Sequence, residues 1–293
     1  MNKFQIIGFD NLAAVINELR QNTSSITFVN GGTDFINQQG EVNFDYVIDL
    51  SQVSDLQYIK EDGNMLRIGA GTTFADIAKN KLVQEKVTAL AQAAAQVGSV
   101  QIRNRATIGG NIASASPAGD SLPVLAAFDA GIIITGPKGV RTITAAGIGK
   151  AALREKELIT EIRLPLSEGQ RSCFGKIGSR TAVSIAKLNM AMQVHYDCQD
   201  NQIIAGKIAL GALGAIPVCP VKAQEFLVGR KVDEEFAVSL ADLLSATVNE
   251  VIPDRASRPY KAQAVKGLTF DIINSLLNIN AVQQLAGSVT DGR

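Results

Sequence analysis

Residues 101–120 read QIRNRATIGGNIASASPAGD. Gly, Asn, Pro and small hydroxylic residues dominate, Ile108 and Ile112 are the large apolar residues of its centre, and Asp120 closes the run. By itself the stretch reads as a loop between two apolar segments, either a plain turn or a place where the backbone must touch something. NGGTDF (30–35), after the apolar SITFV (25–29), repeats the design. Glycine has no Cβ and tolerates positive φ, so successive N–H groups of such loops can converge on an anion. Thr33, Thr107, Asn111 and Ser114 offer side-chain donors. Two such loops would hold a diphosphate without Lys or Arg, but the residues alone leave the turn reading open.

Outward from these loops, periodicity predicts a helix over 11–20 capped by Asp10 or Asn11, strands at 25–29 and 46–50, and a hairpin around EDGN (61–64). A helical stretch follows over 73–97, then a short helix in SLPVLAAFDA (121–130) and a hairpin around GPKG (136–139). A polar stretch at 166–172 suggests a boundary. Beyond it come strands over 182–196 and 203–213, then helices at about 221–228, 233–251 and 256–278. Strands followed by helices indicate a separate α+β unit. GIGKAA (147–152) fits the G-x-G-x-x-A dinucleotide pattern, but it follows polar sequence and leads into the charged LREKE (153–157), so it is set aside.

The chain has 293 residues, 46% hydrophobic and 19% charged, with 28 basic and 28 acidic residues. This suits a well-buried protein and provides no global basic footprint for nucleic acid. No apolar run is long enough for a membrane span, and the start of the chain lacks a signal-peptide core, so a cytoplasmic location is expected. Cys173, Cys198 and Cys219 form no CxxC pair and are expected to be small buried hydrophobes. No metal site and no catalytic acid–base set is recognisable, and the lone His195 reads as structural.

NGGTDF, RIGAGTTF, QIRNRATIGGNIASASPAGD, LPVLAAFDA and LITEIRLP, in this order and spacing, resemble the FAD-binding medium subunit of the molybdenum hydroxylases, the xanthine, carbon monoxide and nicotinate dehydrogenase type. GALGAIPVCPVKAQEFLVG and IPDRASRPYKAQ extend the resemblance towards the C-terminus. It implies an α+β fold: a PCMH-type FAD-binding domain over 1–168, with subdomains of about 1–54 and 55–168, then a small α+β domain over 169–293. It also implies FAD as cofactor, with 101–120 wrapping its diphosphate. The partners implied are a [2Fe–2S] small subunit and a molybdopterin large subunit, with electrons passing through FAD to NAD(P)+ or another acceptor.

Carried over position by position, the resemblance marks Thr27, Phe28, Val29, Asn30, Gly31, Gly32, Thr33 and Asp34 as a first diphosphate loop. Asn30 stands where most members have Ala. Thr107, Ile108, Gly109, Gly110, Asn111 and Ser114 form the second loop. Asp120 corresponds to an acid accepting from FAD hydroxyls, Ile159 to an apolar contact and Lys176 to a lysine near the isoalloxazine. Val97 replaces an aromatic found beside the flavin in some members, and Val183 an acid found in some NAD-reducing ones. Too few cysteines remain for the extra four-iron cluster of one branch. Plainer roles stay open: Thr33 and Thr107 as turn caps, Asp120 as a helix N-cap, Lys176 as a surface charge, Ile159 as ordinary core, and LREKE as a solvated run. Two other functions compete, a self-sufficient PCMH-type flavin oxidase and a flavin-free scaffold.

Overall fold

The computed structural model describes residues 4–35, 44–148, 153–180 and 183–288, with side chains through 276. GIGKAA lies largely outside the described residues. The chain opens with β1 (Gln5–Gly8), α1 (Leu12–Gln21), β2 (Ile26–Val29) and β3 (Tyr46–Asp49). These strands form a parallel sheet in the order β1-β3-β2. Asn11 caps α1, its Oδ1 accepting from the Ala14 N–H at 2.9 Å. The helix buries Val15 and Leu19 against Ile48.

A five-stranded sheet follows, built from β4 (Ile59–Asp62), β5 (Met65–Gly69), β6 (Gly131–Gly136), β7 (Gly139–Thr144) and β8 (Leu158–Pro165), in the order β4-β5-β8-β6-β7. Between β5 and β6 the expected single helical stretch is three helices: α2 (Phe74–Lys79), α3 (Lys81–Lys86) and α4 (Thr88–Ala95). Asn80 breaks the first junction with an extended backbone, and its Oδ1 accepts from the Val83 N–H. Val87, at φ −136°, breaks the second.

The 101–120 stretch is not all loop. It contains most of α5 (Val100–Arg103) and all of α6 (Ile108–Ser114), and α7 (Ser121–Ala127) starts at its end. Gly and Asn disfavour helix, but Ile108 and Ile112 are driven into the core, and Thr107 caps the turn by accepting the Gly110 N–H at 3.2 Å.

The C-terminal sheet runs β12-β11-β10-β9, from β9 (Gln170–Ile177), β10 (Leu188–Asp197), β11 (Gln202–Gly211) and β12 (Arg230–Lys231). Helices α8 (Val221–Leu227), α9 (Glu234–Val251) and α10 (Arg258–Ser288) complete the chain. Two expectations fail here. The polar opening of β9 hid a strand, and β10 begins at Leu188 instead of near 182. Val183 is left-handed, at φ 51°, and the Ser184 hydroxyl takes the Ser179 N–H at 2.8 Å, so 183–187 is an irregular link outside the strand. Phe174, Ala191 and Ala209 join the same core as Leu66, Leu90 and Ile132, so the last sheet packs directly onto the preceding layer.

Candidate functional site

The two small-residue loops meet. The N–H groups of Ile108 and Gly109 donate to the carbonyls of Thr72 and Ala70, which anchors α6 on the turn after β5. Gly31 lies so close to the Arg105 carbonyl that a Cβ would overlap it. Gly32 is left-handed, at φ +72°. Gly109 has its Cβ position filled by Ala70, whose Cβ would lie 2.7 Å away. At Gly110 a Cβ would meet only the Thr107 Oγ1, at 3.1 Å; Gly110 lines the opening between the loops. Four glycines thus serve three purposes: close backbone approach, a left-handed turn and an open wall.

That opening is a cleft of about 320 Å³ lined by all of Thr27 to Asp34 together with Val97, Thr107, Gly110, Asn111 and Ser114. Phe74, Ile102 and Ala113 also line it, residues whose apolar character gave no signal in the sequence. A second, mostly apolar hollow of about 90 Å³ continues past Gly109 and Gly110 to Leu56, Leu158 and Ile159. Ile108 lines neither; it is fully buried behind the loop. Among the described residues no Lys or Arg lines either hollow.

The donors differ from expectation at the second loop. There the N–H groups of Ile108, Gly109, Gly110 and Asn111 are all satisfied internally, the last by the Thr107 carbonyl. At the first loop, the N–H groups of Gly31 and Gly32 have no partner among the described residues. Asn111 contributes through its side chain: its Oδ1 accepts from the Ser121 hydroxyl at 2.7 Å, which leaves Nδ2 without a protein partner among the described residues.

Asp120 and Lys176 come together away from that wall. Lys176 Nζ lies 2.5 Å from Asp120 Oδ2 and donates to the Gln96 carbonyl at 3.0 Å. Both side chains are over nine-tenths buried, so Lys176 is not a surface charge. Asp120 occupies the N-cap position of α7 without making a cap hydrogen bond. Burial pushes its carboxyl above the ordinary range, opposed by Lys176 and by Asn189, whose Nδ2 donates to Oδ1 at 3.0 Å. Lys176 also borders a polar hollow of about 210 Å³ with Arg103, Arg180 and Val183, adjoining the cleft where Val97 and Gly98 follow one another. Asn189 was missed in the sequence because an amide in an alternating strand carries no motif.

Other residues depart from expectation. Cys173 is buried and Cys219 partly so, and burial raises both thiols. Cys198 is exposed, its Sγ 2.9 Å from Arg171 Nη2, because it sits in the β10–β11 turn. LREKE is not simply solvated. Lys156 Nζ donates to the Asn22 carbonyl, and Glu157 accepts from Arg141 Nε and Nη2, which holds its carboxyl down at about 2. Burial opposes the charge on Glu161, yet hydrogen bonds from Arg67, Tyr58 and Arg163 keep its carboxyl below the usual range. His195 Nε2 lies 2.9 Å from the Ser167 hydroxyl. Among the described residues no group of acids, histidines and cysteines could hold a metal, and no helix is long and apolar enough to cross a membrane.

A cleft walled by two glycine loops, with backbone donors at one loop and an apolar hollow beside it, defines a chain built to hold a ligand with an anionic and an apolar part. Residues 2–167 match the family model "FAD binding domain in molybdopterin dehydrogenase", and residues 174–276 match "CO dehydrogenase flavoprotein C-terminal domain". The nicotinate dehydrogenase FAD-subunit of Eubacterium barkeri is 32% identical over 262 residues, covering 84% of this chain and 88% of that one. The glyceraldehyde dehydrogenase medium chain of Sulfolobus acidocaldarius is 30% identical over 230 residues, 77% and 80% of the two chains. A carbon monoxide dehydrogenase structure from Hydrogenophaga pseudoflava superposes with a TM-score of 0.84 at 25% identity, covering 94% and 98%. The chain belongs to the FAD-binding medium subunits of the molybdenum hydroxylase-type dehydrogenases. Its cleft suits that cofactor: N–H groups at Gly31 and Gly32 and an amide at Asn111 that have no partner among the described residues, and an apolar hollow beyond.

Proposed function

We propose that this chain takes electrons from [2Fe–2S] clusters of a small partner subunit and passes them through FAD to NAD(P)+ or another acceptor, while a molybdopterin large subunit oxidises the substrate. The observation that carries this reading is the cleft where the two glycine loops meet. FAD, when bound, supplies the redox chemistry. In this reading the chain's residues bind, orient and tune it. The N–H groups of Gly31 and Gly32 and the Asn111 Nδ2 donate to phosphate oxygens, each charge-assisted bond contributing roughly 1.5–3 kcal/mol. Gly110 leaves room for the approach, and Ile159 excludes water from the apolar end. Lys176, held by Asp120, favours negative charge on the reduced ring.

The test is to purify the tagged chain from its native host without overproducing it alone. Iron, acid-labile sulfide and molybdenum are expected to co-elute with FAD in fixed ratio. A lone, active, yellow protein without iron or molybdenum rejects the complex and favours a self-sufficient oxidase; a colourless chain within a complex favours the scaffold.

A further inference from the structure

Asn189 of β10 faces Lys176 of β9 across one pairing and Gly211 of β11 across the other. It is fully buried. Its amide N–H reaches Asp120 Oδ1 at 3.0 Å, while the other carboxylate oxygen takes the Lys176 ammonium. Its amide oxygen is buried without a partner among the described residues and lies over Gly211, where a Cβ would overlap it. The bond to Asp120 is its only side-chain hydrogen bond among the described residues. A leucine of similar shape would avoid the unpaired oxygen, so what the amide adds to this sheet is one N–H on Asp120. A carboxylate held by Lys176 alone can turn about its Cβ–Cγ bond; a second donor on the opposite oxygen removes that freedom.

We propose that Asn189 is a positioning residue: seated over Gly211, its amide fixes the Asp120 carboxylate, which in turn fixes the Lys176 ammonium beside the flavin. The flavin half of this proposal rests on the assignment of Lys176 made under the proposed function. The closing experiment uses the complex purified from the native host, carrying Asn189→Leu, Gly211→Ala or Lys176→Met singly. Asn189→Leu removes the donor at nearly constant volume. Gly211→Ala keeps the amide but drives its oxygen from the slot, and it serves as the second route should Asn189→Leu fail to fold. Flavin content, flavin midpoint potential and the structure of the Asp120–Lys176 pair are read for each. Asn189→Leu and Gly211→Ala are expected to retain flavin and to show the carboxylate turned or in two conformers. They are also expected to change the oxidised-to-reduced flavin ratio at fixed potential at least tenfold, about 30 mV for a two-electron couple. A carboxylate unmoved in both variants overturns the proposal. A moved carboxylate with unchanged potential, while Lys176→Met shifts it, overturns the link from Asn189 to the flavin. An unchanged potential in Lys176→Met instead overturns the assignment of Lys176, and with it the flavin half of the proposal.

Discussion

Gly110 and Gly31 look alike in the sequence, yet substitution at each should fail differently. Gly110 has open space where a Cβ would go, apart from the Thr107 hydroxyl. Gly110→Val should therefore keep the fold and lose most bound FAD, checked by the flavin-to-protein absorbance ratio and circular dichroism; a full flavin complement rejects Gly110 as a cleft wall. Gly31→Ala would push against the Arg105 carbonyl, part the two loops and lower the melting temperature as well as flavin content, as thermal denaturation will show. At Lys176 the change is electrostatic. Lys176→Met strands a buried carboxylate, a loss of roughly 3–5 kcal/mol in comparable pairs. It also removes positive charge, so the flavin potential should fall by tens of millivolts, about 30 mV for each 1.4 kcal/mol.

Among the elements, the segment from Glu157 through β8 ties the sheet edge together by charge. Arg141 of β7 binds both Glu157 oxygens, and Glu157 titrates near 2 instead of its ordinary 4.5. A lowered folded-state value means the stabilisation is complete above about 4.5 and disappears as pH falls through about 2. Denaturant unfolding of the wild type should weaken across that window, and Glu157→Gln should lessen that loss. Helices with clean periodicity, such as α1 and α9, and the apolar run of β6 beside the GPKG turn were legible in the sequence. Those set by tertiary contacts were not. α6 looks like loop because its glycines and Asn111 disfavour helix, and only the burial of Ile108 and Ile112 selects it. The run from 73 to 97 looks continuous because Asn80 and Val87 interrupt it without Gly or Pro. The loops themselves were visible as small-residue pairs. Their internal hydrogen bonds, and the pairing of Asp120 with Lys176 and Asn189, depend on segments far apart in the chain and left no local mark.

At the scale of the whole molecule, the last sheet is part of the site's support. Phe174, Ala191 and Ala209 close the core above α4 and α7, the Ser172 hydroxyl accepts the Ala89 N–H, and Gln92 accepts the Phe174 N–H. A chain ending at residue 168 exposes that apolar face and lacks Lys176 and Asn189. It should aggregate, or remain soluble only with greatly reduced flavin affinity, as size-exclusion chromatography and flavin titration will show. A soluble fragment binding FAD as tightly as the whole chain would remove the C-terminal sheet from the site's support.

The buried pair also fixes an order of events during synthesis. A nascent chain that has emerged only as far as β8 already contains both glycine loops, yet Asp120 still lacks Lys176 and Asn189. At the ribosome's pace of about 5–20 residues per second, roughly 2–6 seconds pass before β10 can fold over it. Lys176 emerges first, with β9, and Asn189 follows with β10, so any handover of cofactor that depends on the completed group waits until both strands have been made.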